Sequence, residues 1–273
     1  MVRSDGKTAL ITGGANGIGK ATAELFVSKG IQVIIADIDQ KLYDVADEIG
    51  AYPLLLDVST EESWKEIVNT ITKNFPELDI VVNNAATNGV GKNFTTQDPE
   101  NMSLKTWHAM HQINLDSVFL GCKYGINLMK NNMGNSAIIN VASRSGIVGV
   151  PTLAAYAASK AAIRNYTKSV ALYCAQKSYN IRCNTVSPAA ILTNMWSHVL
   201  KDEQDYKKFS SIIPLKRMGE AIEVANAILY LSSDDSQFIT GTEIIIDGGI
   251  LAGSASSPSS HKSDNIVYDE EVT

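Results

Sequence analysis

Short runs of hydrophobic residues recur along most of the chain and alternate with longer amphipathic stretches. The short runs are rich in β-branched residues and nearly continuous, which is typical of strands buried on both faces of a parallel sheet. They lie at residues 7–12, 31–36, 52–56, 78–83, 136–142, 180–186 and 242–246. Segments with helical periodicity separate them. These lie near residues 17–29, 40–49, 60–74, 103–132, 155–178 and 220–232.

The regular succession of strand and helix predicts an α/β fold of the Rossmann type. We expect a doubly wound parallel sheet of about seven strands, flanked by helices on both faces, in a single domain over residues 1–250. Residues 251–273 are Ser-rich and then acidic. They contain too little apolar surface to offset the entropy of ordering, which predicts a mobile tail. The alternative is that "NIVY" within this tail docks against a neighbouring subunit.

Composition excludes several classes of partner. The net charge is −6 and no Lys/Arg cluster offsets it, so we expect no nucleic acid partner. No apolar stretch approaches the ~20 residues that span a bilayer, and the N-terminus lacks the pattern of a secretory signal. Cys122, Cys174 and Cys183 form no CxxC pair and are odd in number. They are expected to be reduced thiols in a cytoplasmic protein that binds no membrane.

A glycine-rich turn follows the first predicted strand, in the sequence "TGGANGIG". Gly13, Gly17 and Gly19 would let backbone N–H groups approach a pyrophosphate at a helix N-terminus. Asp37 ends the second strand, where a carboxylate can accept both ribose hydroxyls of an adenosine and repel a 2′-phosphate. No Arg stands beside it. The pattern therefore predicts NAD rather than NADP, with a helix cap or turn as the alternative role of Asp37.

A Tyr and a Lys four residues apart, in "YAASK", form the candidate catalytic pair. Tyr156 and Lys160 would share one face of a helix. A free phenol has a pKa near ~10, and a neighbouring ammonium would lower it toward the pH at which a general acid/base works best. By itself the pair favours an ordinary exposed helix surface, because a Tyr and a Lys at this spacing occur by chance in many helices.

Together these motifs resemble those of the short-chain dehydrogenase/reductase family over roughly residues 6–250. "TGGANGIG" resembles the TGxxxGxG turn of that family, "NNAA" (83–86) resembles its NNAG element, and "DGG" (247–249) resembles the end of its last strand. The stretches at 113–130 and 171–195 are most similar to bacterial 3β/17β-hydroxysteroid and alicyclic alcohol dehydrogenases.

The resemblance implies NAD-dependent interconversion of a hydrophobic secondary alcohol, such as a steroid or cyclic alcohol, and its ketone. Two alternatives are a 3-oxoacyl thioester reductase, which usually goes with NADPH, and a catalytically inactive NAD-binding regulator. The resemblance also implies a homotetramer and a substrate lid at about 189–218.

The catalytic residues implied by the resemblance are Asn114, Ser143, Tyr156 and Lys160. In the family, Tyr moves the alcohol proton, Ser holds the alcohol oxygen, Lys binds the nicotinamide ribose and Asn positions a water. Ser145 is the competing hydroxyl, but Ser143 has the family's spacing of thirteen residues to Tyr156. The implied cofactor-binding residues are Gly13, Asn16, Gly17, Ile18, Gly19, Asp37, Ile38, Asp57, Val58, Asn84, Ala85, Tyr156, Lys160, Pro188, Ile191 and Thr193. The implied substrate-binding residues are Ser143, Tyr156, Ala189, Met195 and Trp196.

The chain departs from the family pattern at two places. Ala189 follows Pro188 where the family usually has Gly, and Ala does not readily adopt a positive φ. The polar loop at 86–107 is long and would border the active site. His108 and His111 have no third ligand at suitable spacing, so we expect no metal. His198 and Val199 lie in the lid region, where His198 contacts either solvent or a polar group of the substrate.

Overall fold

The computed structural model describes residues 6–89, 94–196 and 200–253 of the 273-residue chain. The strands are β1 (Thr8–Thr12), β2 (Gln32–Asp37), β3 (Tyr52–Leu55), β4 (Ile80–Asn83), β5 (Ser136–Val141), β6 (Ile181–Pro188), β7 (Ile191–Leu192), β8 (Gly219–Glu220) and β9 (Glu243–Ile246). The helices are α1 (Gly17–Ser28), α2 (Leu42–Ile49), α3 (Glu61–Asn74), α4 (Leu104–His111), α5 (Ser117–Met129), α6 (Ala154–Gln176), α7 (Glu203–Ser211) and α8 (Ala221–Ser232).

Seven strands form one parallel sheet in the order β3-β2-β1-β4-β5-β6-β9. Each corresponds to one of the seven predicted runs, so the prediction of a doubly wound Rossmann-type sheet in a single domain is confirmed. The chain first winds outward from β1 to β3 and then crosses to β4 on the other side of β1. Ligands of such sheets bind outside the carboxyl ends of the strands, at this switch in direction.

Helices cover both faces of the sheet because the strands are apolar on both sides. All residues of β1, β4 and β5 are buried. On one face, Trp64 of α3 and Ile163 of α6 belong to a continuous buried cluster. On the other face, Phe26 of α1 and Ile228 of α8 belong to a second cluster. The double layer explains why the hydrophobic runs are continuous rather than alternating.

The helix predicted over 103–132 contains a π-helical turn. Residues Gln112–Asp116 form this turn between α4 and α5. A π turn accommodates one extra residue without ending the helix, and it is common at functional sites. The apolar periodicity continues on both sides of the turn, so the sequence predicted one uninterrupted helix.

The segment between β6 and α8 contains elements that the sequence analysis did not predict. β7 pairs with β8 in a separate two-stranded sheet, and each of these strands has only two residues. Asp202 caps the start of α7, because its Oδ1 accepts hydrogen bonds from the backbone N–H groups of Gln204 (2.8 Å) and Asp205 (2.9 Å). Strands of two residues have no periodic pattern to detect, and α7 is largely polar, with only Ser210 buried. A lid function for 189–218 stays a prediction.

An ion pair joins the helix α6 to the far edge of the sheet. Arg164 donates two hydrogen bonds of 2.7 Å to the carboxylate of Glu243 on β9, and a third to the carbonyl oxygen of Gly146. Ser187 on β6 donates to the same carboxylate. Burial raises the pKa of Glu243, but the hydrogen bonds from Arg164 and Ser187 outweigh it and leave the pKa below its usual value.

Within the ranges described above, no helix is long and apolar enough to cross a bilayer.

Candidate active site

The glycine turn between β1 and α1 packs so tightly that side chains are excluded from it. Gly13 has φ +67°, and a Cβ placed there would lie 2.8 Å from Nδ2 of Asn84. A Cβ on Gly19 would overlap the carbonyl oxygen of Gly13. Gly17 has φ +53° and begins α1. The turn thus exposes backbone at a helix N-terminus, which is suited to a pyrophosphate.

Asn84 holds this turn in place from the end of β4. Its Nδ2 donates hydrogen bonds to the carbonyl oxygens of Thr12 (2.9 Å) and Gly13 (3.2 Å). The backbone N–H groups of Asn84 and Ala85 donate in turn to the Thr12 hydroxyl, at 3.0 and 3.1 Å. These contacts give Asn84 a structural role at the predicted cofactor site, whereas direct contact of Asn84 and Ala85 with a cofactor stays a prediction.

Replacing Gly19 with Ala is expected to destabilise the protein and to abolish NADH binding. The new methyl group would have to displace backbone, and overpacking of this kind costs about 1–3 kcal/mol. Urea unfolding and NADH fluorescence titration measure both effects. Gly134→Ala is the matched control because a Cβ at Gly134 has open space around it. NADH affinity equal to that of the wild type in Gly19→Ala would contradict the assignment of the turn.

Asp37 lies at the end of β2, beside the glycine turn. Its Oδ2 accepts a hydrogen bond from the backbone N–H of Ala15, and its Oδ1 accepts one from that of Asp39, both at 3.0 Å. An ionised carboxylate has about four acceptor positions, so two backbone donors leave room for two ribose hydroxyls. Asp37 therefore does stabilise the local turn, which was the alternative role left open by the sequence, and this role does not exclude contact with a ribose.

Asp57 and Val58 precede α3 at the same edge of the sheet. Oδ1 of Asp57 accepts hydrogen bonds from the backbone N–H (2.9 Å) and hydroxyl (2.6 Å) of Ser59. Val58 is buried. Ile38, by contrast, is 67% exposed. Contacts of these residues with an adenine stay a prediction, and the glycine turn together with Asp37 fits a dinucleotide.

The structure brings Ser143, Tyr156 and Lys160 together beyond the end of β5. Tyr156 and Lys160 share a face of α6, with Nζ of Lys160 5.8 Å from the centroid of the Tyr156 ring. Lys160 is only 2% exposed, and its Nζ donates to the carbonyl oxygen of Val141 at 2.8 Å. The loop after Ser143 packs directly on this helix, since a Cβ at Gly146 would lie 2.6 Å from the carbonyl carbon of Lys160.

Burial shifts the two titratable groups of this site in opposite directions. Loss of hydration raises the pKa of the Tyr156 phenol above 10.0, and the interaction with the Ser143 hydroxyl only partly offsets the rise. Burial lowers the pKa of Lys160 from 10.5 to about 7. The sequence analysis expected an ammonium that lowers the pKa of Tyr156. In the protein without cofactor, the pKa of Tyr156 shifts in the opposite direction, because desolvation outweighs the interaction with Ser143.

The depressed pKa of Lys160 predicts a specific pH dependence of stability. Between about pH 7 and 10.5, the unfolded chain binds a proton at this Lys that the folded chain does not. The free energy of unfolding of the wild type, relative to Lys160→Met, should therefore increase with pH by about 1.4 kcal/mol per unit over this window. Urea denaturation across the window measures it, with the exposed Lys168→Met as control. A difference that does not change with pH would contradict the shift.

Asn114 occupies the centre of the π-helical turn and is fully buried. Its Oδ1 accepts from the backbone N–H of Thr87 at 2.8 Å, and its Nδ2 donates to the carbonyl oxygen of Thr87 at 2.9 Å. Its amide also lies near Sδ of Met110 and Oγ of Ser159. The side chain therefore fixes the loop after β4, while a role in positioning a water near Lys160 stays a prediction.

The segment after β6 bends back over the glycine turn. Ala189 stands where the family usually has Gly, but its φ is not positive. The positive φ (+52°) occurs instead at Ala190, the next residue. The Thr193 methyl group lies near Gly17, where a Cβ would be 3.3 Å from it. Nδ2 of Asn194 approaches Oδ1 of Asn16 at 3.4 Å. The predicted contacts of Pro188 and Ile191 with nicotinamide remain untested.

The predicted substrate residues Met195 and Trp196 follow in the same segment. Met195 accepts a hydrogen bond at its carbonyl oxygen from Nδ2 of Asn88, at 3.4 Å. The Trp196 ring packs edge-on against Phe209 of α7, with 4.6 Å between ring centroids. Trp196 therefore packs within the segment that follows β6, residues 189–196 and 200–218, which we call the cover. His198 and Val199 lie outside the described residues.

The residues that the sequence offered as alternative catalytic or metal-binding groups make structural contacts. Ser145 donates its backbone N–H to Oγ of Ser143 at 3.2 Å, which caps the turn after the predicted catalytic Ser. The His111 ring stacks on Trp107, and its Nδ1 lies 2.9 Å from the Trp107 carbonyl oxygen. Among the residues that the structure describes, no three His, Cys, Asp or Glu side chains are grouped as a metal site. Cys122, Cys174 and Cys183 are buried free thiols.

Two residues near the site were missed by the sequence analysis. Gln97, in the long loop after β4, contacts the first turn of α6, and Arg164 joins that helix to Gly146 and Glu243. No motif marks either residue. The only signal for Gln97 was the unusual length of its loop.

Comparison with known proteins agrees with this geometry. A family model described as enoyl-(acyl carrier protein) reductase matches residues 13–251. An NADP-dependent (R)-specific alcohol dehydrogenase of Lentilactobacillus kefiri is 38% identical, over 92% of this chain and 98% of its own length. A cyclopentanol dehydrogenase of Comamonas testosteroni is 36% identical, over 92% of this chain and 100% of its own length. Bacterial hydroxysteroid dehydrogenases are 34% and 36% identical.

The fold agrees as well. The crystal structure of a short-chain type dehydrogenase/reductase from Mycobacterium marinum superposes with a TM-score of 0.82 at 32% identity, covering 91% of this chain and 97% of that chain. The resemblance to alicyclic alcohol and hydroxysteroid dehydrogenases is thus confirmed. This chain belongs to the short-chain dehydrogenase/reductase family, as an oxidoreductase that acts on alcohols or ketones.

Proposed function

We propose that this protein interconverts a hydrophobic secondary alcohol, such as a cyclic alcohol or steroid, and its ketone with NAD as cofactor. The observation that supports this most directly is the grouping of Ser143, Tyr156 and Lys160, at the same carboxyl edge of the sheet as the glycine turn and Asp37. A protein that only sensed NAD would not need a hydroxyl, a phenol and a buried Lys at the same edge of the sheet.

In the proposed mechanism, the protein handles the proton and orients the alcohol. When bound, NAD supplies the acceptor for the hydride that leaves the carbinol carbon. Tyr156, as the phenolate, accepts the proton of the alcohol O–H, so that the C–O single bond becomes a carbonyl. Burial disfavours this phenolate, and the positive charges of a protonated Lys160 and of the oxidised nicotinamide would stabilise it. Ser143 hydrogen-bonds the same oxygen and fixes its direction. In ketone reduction, Tyr156 returns the proton to the developing alkoxide.

Lys160 is proposed to bind the nicotinamide ribose and to exchange the proton of Tyr156 with solvent. A pKa of about 7 allows the amine to gain and lose a proton at neutral pH. We propose that a water near Asn114 completes this path. Burial of Asn114 within 3.4 Å of the Ser159 hydroxyl, one residue before Lys160, is compatible with that position.

The choice of NAD rather than NADP follows from charge at the end of β2. Asp37 and Asp39 would both oppose a 2′-phosphate. Lys20, the nearest cation of the glycine turn, is already paired with Glu48 at 2.9 Å and with Glu24 at 3.5 Å. The 38% identical relative is NADP-dependent, so family membership alone does not decide the cofactor.

The substrate class rests on the relatives and on the apolar cover. One relative is named for cyclopentanol, and Met195 and Trp196 give the segment after β6 an apolar character. The alternative substrate is a 3-oxoacyl thioester, because a 3-oxoacyl-[acyl-carrier-protein] reductase of Thermotoga maritima is 37% identical to this chain. That activity usually goes with NADPH, which Asp37 disfavours.

Spectrophotometry of NADH and NADPH with a substrate panel tests the proposal. The panel contains cyclic, steroid and acyclic secondary alcohols with their ketones, together with a 3-oxoacyl thioester. We expect turnover of cyclic alcohols with NAD, and little with NADP. Faster reduction of the thioester with NADPH would favour the alternative. NADH binding without turnover of any substrate would favour the inactive regulator.

We also propose that the protein is a homotetramer that associates through α5 and α6. Phe119 of α5 and Leu172 and Tyr173 of α6 are large apolar side chains exposed on these helices. Covering them would remove apolar surface from water. Light scattering on the purified protein measures the assembly, and a monomeric mass at micromolar concentration would contradict the proposal.

A further inference from the structure

We propose that Gln97 is a positioning residue, which caps the catalytic helix α6 from the long loop after β4 and thereby fixes the place of Tyr156. This inference rests on the proposed role of Tyr156 and extends it to a residue 59 positions earlier in the chain. The long loop at 86–107, which departs from the family pattern, would then help to position the proposed general acid/base.

The first turn of α6 depends on Gln97 for its hydrogen bonds. Leu153 precedes the helix and has no polar side chain that could accept from it. The backbone N–H of Ala154 donates instead to the carbonyl oxygen of Gln97 at 3.2 Å. The backbone N–H of Tyr156 donates to Oε1 of the same residue at 3.2 Å. Gln97 thus satisfies two of the N–H groups that every helix leaves free at its start.

The amide nitrogen of Gln97 binds the loop after β4, which is expected to border the substrate. Nε2 donates to the carbonyl oxygen of Asn88 at 2.7 Å. Asn88 in turn donates from Nδ2 to the carbonyl oxygen of Met195 in the cover. Gln97 therefore connects the helix of the proposed general acid/base to the segment that is proposed to face the substrate.

The setting of Gln97 makes this connection rigid. The side chain is buried, with only 4% of the residue exposed. Gly89 has φ +72°, and a Cβ there would lie 2.6 Å from Nε2 of Gln97. Both ends of the amide are hydrogen-bonded in this buried position, so its orientation is fixed by the donor and the acceptor it meets. Losing the amide would release the first turn of α6 and the loop together.

Three substitutions separate these functions. Gln97→Leu keeps roughly the volume and removes the two side-chain hydrogen bonds, to the Tyr156 N–H and the Asn88 carbonyl oxygen, while the backbone bond from Ala154 stays. Gln97→Glu keeps an Oε1 acceptor for the Tyr156 N–H and removes the donor to Asn88. Gln97→Asn keeps the amide but is one methylene too short to reach both partners, and it serves if Gln97→Leu does not fold. Gln176→Leu, at the exposed far end of α6, is the matched control.

Hydrogen exchange and steady-state kinetics provide two independent readouts. In Gln97→Leu we expect the amides of residues 154–157 to exchange at least about tenfold faster and kcat for the alcohol to fall at least about tenfold. A displacement of about 1 Å at a reacting group can cost up to about 100-fold. The dissociation constant for NADH should stay within about twofold. Gln97→Glu should recover most of both effects, because it keeps the cap.

The pH profile adds a third readout that a purely structural role would not move. The carboxylate of Gln97→Glu would lie beside the first turn of α6 and disfavour the phenolate of Tyr156. We expect the acidic limb of the kcat profile to move to higher pH in this variant. Gln176→Leu should leave exchange, kcat and the profile unchanged.

The outcomes distinguish failure of this inference from failure of the proposed function. Unchanged exchange at residues 154–157 in Gln97→Leu overturns the cap, whatever the protein turns over. Faster exchange with unchanged kcat overturns the positioning role. A wild-type protein that turns over no alcohol or ketone contradicts the proposed function, while the exchange measurement still decides whether Gln97 holds the helix.

Discussion

Replacing Tyr156 with Phe is expected to lower kcat for alcohol oxidation by about 10²- to 10⁴-fold, the range that general acid/base catalysis supplies. Phe keeps the ring and its packing and removes the hydroxyl that is proposed to accept the alcohol proton. The dissociation constant for NADH should change by less than about threefold, because the glycine turn and Asp37 are untouched.

Tyr230→Phe is the matched control, because Tyr230 is an exposed phenol on α8, away from the proposed subunit contact. It should keep the kcat of the wild type. A Tyr156→Phe variant that retains more than about a tenth of the wild-type kcat would contradict the general acid/base role. A loss of activity together with a loss of NADH binding would point instead to misfolding near the glycine turn.

The double substitution of Asp37 by Ser and Ile38 by Arg is expected to reverse the cofactor preference. It removes a carboxylate that would oppose a 2′-phosphate and adds a guanidinium that can pair with it. Unit charges about 4 Å apart interact by about 4 kcal/mol near a protein surface, and each 1.4 kcal/mol is a factor of ten. The ratio of kcat/KM for NAD to that for NADP should fall by about 10²-fold or more.

Asp44→Asn controls for the general loss of negative charge, because Asp44 is an exposed acid on α2. It should leave the ratio of the two kcat/KM values unchanged. A wild-type protein that already prefers NADP, or a double variant that still prefers NAD, would show that Asp37 does not select the cofactor.

The sequence predicted the sheet well because its signal is local. The seven apolar runs correspond to the seven strands of the main sheet, and those of β1, β4, β5 and β6 are buried throughout. The π-helical turn at Gln112–Asp116 was missed, because hydrophobic periodicity continues on both sides of it. α7 was missed because it is a short and largely polar helix in which only Ser210 is buried.

The location of the candidate site was also predictable, since Asp37 and Ser143 lie at the carboxyl ends of strands in one parallel sheet. The direction of the pKa shifts within the site was not predictable from the sequence. The pKa values of Tyr156 and Lys160 depend on how much water the folded chain removes, and no spacing in the sequence contains that information. Gln97 was missed for a similar reason, because its contact with the Tyr156 N–H joins residues 59 positions apart.

The central claim is that this protein transfers a hydride from the carbinol carbon of a secondary alcohol to NAD while Tyr156 takes the hydroxyl proton. Cyclopentanol that carries deuterium on the carbinol carbon tests it directly, with mass spectrometry of the reduced cofactor. We expect the NADH formed by the wild type to contain one deuterium per molecule, and we expect Tyr156→Phe to form almost no NADH. Reduced cofactor without deuterium, or no reduction by any alcohol of the panel, would contradict it.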